Sequence, residues 1–291
     1  MVRLWAGGAA HPCEETVDPL IALGDRGEPV TTLQQRLTLL GYSPGPADGI
    51  FGIRTDHAVR EFQDDNGLAD DGIVGPVTWA ALKGVATPPK PPGGTLGVGS
   101  KGAEVATAQQ QLSSRGYWLG IVDGVFGALT QQAVWAFQKV QGLPRTGVLN
   151  TDDRQTLSQA RRPTPGRTGD QAEIDLGKQT LFIIRGQDVV VALNTSTGNG
   201  ERYYSGGQWK TARTPTGDFK IVREVNGMRV APLGKLWRPR YFTNSGYAVH
   251  GSSSIPPHPA SHGCARVSNP AMNMIWDHNL LPMGSAVWVH P

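Results

Sequence analysis

Tyr247-Ala248-Val249-His250-Gly251, followed after nine intervening residues by Ser261-His262-Gly263-Cys264-Ala265-Arg266-Val267-Ser268-Asn269, decides how the C-terminal part of this chain is read. Cys264 has His262 two residues before it and His250 fourteen residues before it, in a segment rich in Gly and Pro. A thiol is a poor nucleophile until it loses its proton, and a nearby imidazole supplies both a base and the positive charge that favours thiolate. Cys264 is the only cysteine in the last 278 residues. One cysteine with reachable histidines is the pattern of a nucleophile; the alternative is a buried structural cysteine beside loop histidines. Gly263 is expected to keep the backbone beside the sulfur open, so that a peptide carbonyl can approach and main-chain N–H groups can point at its oxygen.

Around this segment the pattern is that of strands. Gln179 to Arg185 and Asp188 to Leu193 flank Gly186-Gln187 as a hairpin, and Asp218 to Val222, Tyr247 to His250 and Ala286 to His290 read as further strands. Asn269-Pro270 opens a helix to about His278, with Asn269 as cap and Met272, Ile275 and Trp276 on its apolar face. The helix starts five residues after Cys264, too far for its dipole to lower the thiol pKa much.

The front half repeats with an offset of 75 residues. Gln34-Gln35, Gly41-Tyr42, Asp48-Gly49-Ile50-Phe51-Gly52, Thr55 and Phe62-Gln63 return as Gln109-Gln110, Gly116-Tyr117, Asp123-Gly124-Val125-Phe126-Gly127, Thr130 and Phe137-Gln138. Two copies make a tandem pair, not a solenoid. Each copy predicts three helices in about 60 residues. Val30, Leu33, Leu37 and Leu40 keep helical spacing up to a stop at Gly41; Thr55 caps a second helix burying Ala58, Val59 and Phe62; a third starts near Pro76 and buries Trp79 and Leu82. The glycines of the Asp-Gly-x-Phe-Gly loop are expected to serve its tight turns. Its single carboxylate is far from a calcium ligand set.

The expected architecture is multidomain: two small three-helix-bundle modules followed by a mainly-β, β-sandwich-like catalytic domain with a short helix after the nucleophile. The boundaries are an N-terminal extension over 1–22, modules over 23–83 and 96–160, a stiff Pro-rich linker over 84–95, a second linker over 161–170, and the catalytic domain over 171–291.

At 291 residues there is room for two or three domains, and 38 Gly with 22 Pro imply many turns. No apolar run approaches the length of a membrane helix. The net charge of +3 is unevenly spread: residues 23–82 hold four Lys/Arg against nine Asp/Glu, and residues 171–291 hold twelve against seven. A basic C-terminal domain suits a polymer carrying carboxylates and phosphates, and equally a solvated surface. No basic run with interleaved aromatics argues for nucleic acid. Leu4 to Ala10 is too short and glycine-rich for the apolar core of a secretory signal. Cys13 is expected to be free or paired between molecules, because pairing with Cys264 would remove the nucleophile.

The C-terminal segment resembles the L,D-transpeptidase family of bacterial cell-wall enzymes. The pattern is an upstream His-Gly, then Ser-His-Gly-Cys, a branched apolar residue, Arg, an apolar residue, any residue and Asn; Ala265 departs from the usual Ile or Val. The likeness extends back to about Ala172 through Gln179-Thr180-Leu181, Ser196-Thr197-Gly198 and Thr214-Pro215-Thr216-Gly217. Both repeats resemble the peptidoglycan-binding module that accompanies many wall enzymes; a helical spacer that binds nothing is the alternative.

The resemblance implies that Cys264 attacks the peptide bond between the third stem residue and a terminal D-Ala, giving an acyl-enzyme that the amine of another stem resolves into a third-to-third cross-link. No cofactor is expected. His250 is assigned as general base, the Gly251 carbonyl as the group that holds its tautomer, and the Gly263 and Cys264 N–H groups with His262 as the oxyanion site. Arg266 either fixes the loop or touches substrate. Tyr203, Trp237 and Tyr241 are candidates for the cleft wall, with core packing the stronger alternative for any one of them, and Ser252 and Ser261 for substrate contact or turns. His250, His258, His262 and Cys264 could form a zinc set, but His258 sits in Pro256-Pro257-His258-Pro259, read as a surface lid, and no metal is expected. The expected partners are peptidoglycan stem peptides and glycan, with the chain a monomer, extracellular or periplasmic, and open to carbapenem-type inhibitors by family resemblance. An L,D-carboxypeptidase, in which water replaces the acceptor amine, and a non-catalytic wall-binding protein are the other readings.

Overall fold

The computed structural model describes residues 18–84 and 94–291. Cys13 and most of the expected Pro-rich linker lie outside the described residues.

The first module consists of α1 (Glu28–Leu40), α2 (Ile53–Asp65) and α3 (Pro76–Gly84), and the second of α4 (Ala103–Ser114), α5 (Ala128–Gln141) and α6 (Thr151–Gln159). α1 has proline in its first turn and ends where Gly41 turns left-handed at φ 96°, a conformation that costs glycine little. Its buried stripe is Val30, Leu33, Gln34 and Leu37. The first module starts earlier than expected: Ile21 is buried and exchanges backbone hydrogen bonds with Val74, so residues 18–22 are not all extension.

Thr55 does not cap α2. That helix begins at Ile53 with no side-chain cap, and Thr55 is drawn inward, donating to the Pro44 carbonyl (3.0 Å) and accepting from Gln34 Nε2 (3.1 Å). Gln34 is a buried clamp. Its side chain accepts from Gly49 N–H and donates to the Ile50 carbonyl, satisfying both polar groups of the turn. Gln63 does the same at Gly72 and Ile73, Gln109 at Gly124 and Val125, and Gln138 at Gly147 and Val148. The four clamped glycines have φ between 72° and 74°. Gly127, in contrast, is not a turn glycine: a Cβ there would lie 2.3 Å from the Thr38 carbonyl, so it lets the two modules touch.

The C-terminal domain contains β1 (Gln171–Asp175), β2 (Thr180–Arg185), β3 (Asp188–Asn194), β4 (Arg202–Ser205), β5 (Gln208–Thr211), β6 (Gly217–Lys220), β7 (Arg223–Glu224), β8 (Met228–Ala231), β9 (Gly234–Tyr241), β10 (Ala248–Ser252), β11 (Ala265–Ser268), α7 (Asn269–Asp277) and β12 (Ala286–His290). One sheet runs β3-β2-β1-β12-β6, and the other runs β11-β10-β9-β7 with β8 on β9; β4 and β5 form a separate hairpin. The sheets share a core that includes Ile174, Leu181, Ile183, Val249 and Val267 and is closed by Met272 and Ile275 of α7. The α7 cap is Ser268, whose Oγ accepts from Ala271 N–H (3.2 Å); Asn269 is already inside the helix.

β2 explains how the modules join. Thr180-Leu181-Phe182-Ile183-Ile184 is buried throughout. With period-2 alternation, Leu181 and Ile183 face the sandwich, while Phe182 and Ile184, with Val189 and Ala192 of β3, enter the core of the second module beside Phe137 and Leu157. The free edge of β3 is covered by residues 116–118: Ala192 donates to the Gly116 carbonyl and accepts from Trp118 N–H. Residues 161–170, expected as a linker, are docked. Arg162 donates to Val189 O and Ser114 O, Pro163 is buried, and Gly166 N–H meets Glu173.

Gln109→Leu should leave a buried turn N–H and carbonyl without partners. The expected loss is about 2–4 kcal/mol in urea unfolding, at about 1–3 kcal/mol per orphaned group. Gln110→Leu, at an exposed neighbouring position, should shift stability by less than about 0.5 kcal/mol.

Candidate active site

β10 and β11 run parallel with Val249 opposite Ala265 and His250 opposite Arg266. Paired residues on parallel strands share a face and alternate residues return to it. Val249, Ala265 and Val267 therefore point into the core, where all are buried, and His250, Cys264 and Arg266 share the other face. These three line one cleft of about 300 Å³, walled also by Tyr203, Lys210 and Tyr247.

His250 is 5% exposed, and its Nδ1 lies 2.8 Å from the Gly251 carbonyl. A carbonyl can only accept, so Nδ1 carries the hydrogen and Nε2 keeps its lone pair. Burial pushes the imidazole pKa down to about 4; the Gly251 carbonyl opposes this and the Arg266 charge adds to it. The Cys264 thiol donates to the Gly246 carbonyl at 3.8 Å. Burial pushes its pKa up, against the pull of the Ala248 N–H and the Arg266 charge. The resting pair is thus neutral imidazole and neutral thiol. The positive charge anticipated from the imidazole is not supplied by His250, because the buried ring resists protonation; the Arg266 guanidinium is the cation that acts on the sulfur.

The loop before Cys264 is braced from inside. Ser261 is buried; its Oγ donates to the Cys264 carbonyl (2.6 Å) and accepts from Gly263 N–H (2.9 Å). The Gly263 N–H is therefore committed to Ser261 and is not an oxyanion donor in this arrangement. Thr214 Oγ1 donates to the Gly263 carbonyl (2.8 Å). Gly263 does not leave open space for substrate either. Its φ is 134°, and a Cβ would stand 2.5 Å from the Tyr247 ring and 2.9 Å from the Arg213 carbonyl. Packing demands the glycine. Gly251 is similarly crowded by Asn269 and Trp237.

The remaining candidates divide. Tyr203 is in the cleft, its ring edge-on to exposed His262 at 4.8 Å between centroids. Arg266 lines the cleft and its Nη1 donates to the Ala260 carbonyl (3.3 Å). Trp237, Tyr241 and Ser252 are outside it. Trp237 donates to Asn273 of α7 at 2.7 Å, Tyr241 is buried under the Arg223 guanidinium, and Ser252 closes a turn on Ser254. Strand β9 directs its aromatics toward the packing against α7 and β7, which single aromatics in a Gly-rich sequence do not reveal. Lys210, Lys235 and Tyr247 also line the cleft; Tyr247 lies three residues before His250 in the His-Gly segment, whereas no local pattern marks Lys210 or Lys235. His258 is exposed and away from the cleft. Among the described residues no group of three or more His, Cys, Asp or Glu side chains could hold a metal ion, and no helix is long and apolar enough to cross a membrane.

Comparison with known proteins shows the family. Residues 26–82 and 101–157 each match the peptidoglycan binding domain family, and residues 169–289 match the L,D-transpeptidase catalytic domain (YkuD). The crystal structure of the L,D-transpeptidase (residues 123–326) from Xylanimonas cellulosilytica is 48% identical, covering 70% of this chain and 100% of that one, with a TM-score of 0.65. The chain belongs to the L,D-transpeptidase family, with two peptidoglycan-binding modules ahead of the catalytic domain. Curated relatives match the front half. The N-acetylmuramoyl-L-alanine amidase CwlM of Mycobacterium tuberculosis is 34% identical over 150 residues (46% of this chain, 36% of the amidase), and the spore cortex-lytic enzyme of Bacillus subtilis is 47% identical over 64 residues (22% of this chain, 21% of the enzyme). The chain thus spans well under half the length of either.

The buried neutral histidine has a consequence for stability. Its folded pKa near 4 lies below an unfolded value near 6.5. Between these values the unfolded chain takes up a proton that the folded chain refuses, so stability falls as pH drops through this window. His250→Gln should remove that slope. Between pH 7.5 and 4.5 the wild type should lose about 2–3 kcal/mol more than the mutant, measured by urea unfolding.

Proposed function

We propose that this protein is a cysteine-dependent L,D-transpeptidase that forms third-to-third peptidoglycan cross-links through an acyl-enzyme on Cys264. The observation that carries this reading is the shared face of His250, Cys264 and Arg266 in one cleft, with the His250 tautomer set by the Gly251 carbonyl. Substrate entry displaces water and brings the carbonyl of the third stem residue to Sγ. Nε2 of His250 takes the thiol proton as the sulfur attacks, then returns it to the departing D-Ala amine. The Cys264 N–H, with His262 at the mouth, receives the oxyanion. An amine from a second stem then attacks the thioester, His250 takes its proton, and the thiol is regenerated. One peptide bond is exchanged for another, so no energy source is needed. Water in place of the amine gives the L,D-carboxypeptidase outcome at the same site.

The cleft chemistry suits an anionic stem. Lys210, Lys235 and Arg266 line it, and a cationic wall draws in stem carboxylates. The two modules place the enzyme on the wall, in an extracellular or periplasmic setting.

Incubation with soluble stem tetrapeptide, read by mass spectrometry, separates the outcomes: cross-linked dimers support transpeptidation, and trimmed monomers alone would leave only the carboxypeptidase. Cys264→Ala should form no acyl-enzyme with stem peptide or a carbapenem; a retained adduct would remove Cys264 as nucleophile. His250→Gln should slow acylation by about 10²–10⁴, the worth of a positioned general base. His258→Gln should change the rate little, and the reverse ranking would displace His250 from the role.

A further inference from the structure

Lys139 is on α5 of the second module, is 3% exposed, and takes no part in the chemistry above. Its ammonium donates to the Gln179 carbonyl (2.7 Å), the Thr195 carbonyl (3.1 Å) and Asn194 Oδ1. All three acceptors belong to the catalytic domain. An ammonium has three hydrogens and no acceptor, so three converging oxygens satisfy it completely. Burial and the nearby Arg145 charge push its pKa down, but three oxygen acceptors around one nitrogen need three N–H donors, which only the ammonium form has.

The groups that Lys139 grips lead directly to the catalytic loop. Thr195 Oγ1 donates to the Arg266 carbonyl at 2.7 Å, and Ser196 and Arg266 exchange both backbone hydrogen bonds. The Thr197 carbonyl accepts from Ala260 and Ser261 N–H. Gln179, held at φ 62°, fixes Thr197 through its amide. Segment 194–197 is thus laid along β11 and the residues just before Cys264, with Lys139 beneath it.

A second set of contacts from the same module reaches the loop between His250 and Cys264. Gln132 donates to the Ile255 carbonyl and accepts from Asn194 Nδ2, which also reaches Ile255. Arg145 ties the Pro257 carbonyl to the Gly177 carbonyl, and Ser196 Oγ donates to His258 O. The segment read from sequence as a surface lid is pinned at Pro257 and His258, and at Ile255 just before it.

We propose that the second peptidoglycan-binding module is a positioning element of the active site: Lys139, with Gln132 and Arg145, holds segment 194–197 and the 253–261 loop where they place Cys264 and Arg266 on the His250 face. Lys139 is a positioning residue and touches no reacting group. The proposal rests on Cys264 being the nucleophile of the proposed function. A wall-binding module acting only as a tether would act on encounter with polymer and leave thiol reactivity alone. The Xylanimonas match covers 70% of this chain, more than the catalytic domain by itself.

The test uses the full chain carrying Cys13→Ser, so that Cys264 is the only thiol. Lys139→Met and Gln132→Ala are compared with this parent by the second-order rate of iodoacetamide alkylation of Cys264, by kcat and KM on soluble stem tetrapeptide, and by melting temperature. Small displacements in a site cost rate steeply. Lys139→Met should slow alkylation and lower kcat by roughly tenfold or more, with KM within about twofold; Gln132→Ala should shift both in the same direction by roughly threefold while melting with the parent. Folded variants that keep the parent's alkylation rate and kcat would overturn the proposal, whatever their melting temperature. If Lys139→Met does not fold, Gln132→Ala and Arg145→Gln decide on the same readouts. If the parent is alkylated but turns over no stem peptide, the reaction reading fails while the alkylation comparison still decides the positioning.

Discussion

Phe182 and Ile184 leave β2 on one side, Leu181 and Ile183 on the other, and neither side meets water. Each such side chain contributes about 1.5–3 kcal/mol when fully buried, against a whole-domain stability of about 5–15 kcal/mol. Pulling the second module away from the sandwich would expose Phe182, Ile184 and Val189 together, a loss comparable to the entire margin. The helical module and the sandwich are therefore one folding unit. The docked path of residues 161–170 and the buried Lys139 are consequences of that shared strand. Polar contacts across such a junction are held in a dry setting, where an unmatched partner is expensive.

The first module is attached by other means. Its close contact with the second runs through Gly127 against Thr38 and Gly41 against Ala128, and its reach toward the cleft includes the exposed Lys235–Asp64 pair at 3.3 Å. An exposed ion pair contributes little, about 0–1 kcal/mol. The two repeats thus share an internal construction and differ in role, although both are built on the same glutamine clamps. Each clamp satisfies a left-handed Asp-Gly or Thr-Gly turn that would otherwise bury an unpaired N–H and carbonyl.

At the site, burial does two things. It pushes the His250 pKa down, favouring the neutral imidazole, and it pushes the Cys264 pKa up, favouring the thiol. A thiol held in reserve in this way avoids the oxidation to which exposed thiolates are prone. The strand pairing that places His250 opposite Arg266 also directs Val249, Ala265 and Val267 into the core. The cleft lining and the core packing are two faces of one parallel strand pair.

Much of this was legible in the sequence. Helical spacing and the Gly41 stop marked the modules, apolar runs bounded by turn residues marked β2, β3 and β12, and the His-Gly and Ser-His-Gly-Cys segments marked residues that line one cleft, because these signals are local. The tertiary structure decided what depends on neighbours distant in sequence. Thr55 and Asn269 looked like caps, but Gln34 draws Thr55 inward and Ser268 takes the cap of α7. Gly263 looked open but is filled by Tyr247 and Arg213, and its N–H is taken by Ser261. Of the aromatics weighed between cleft wall and core, Trp237 and Tyr241 pack away from the cleft. Local pattern tells which face of a strand is apolar; only the assembled fold shows what lies against that face, and here one face of β2 belongs to a different repeat of the chain.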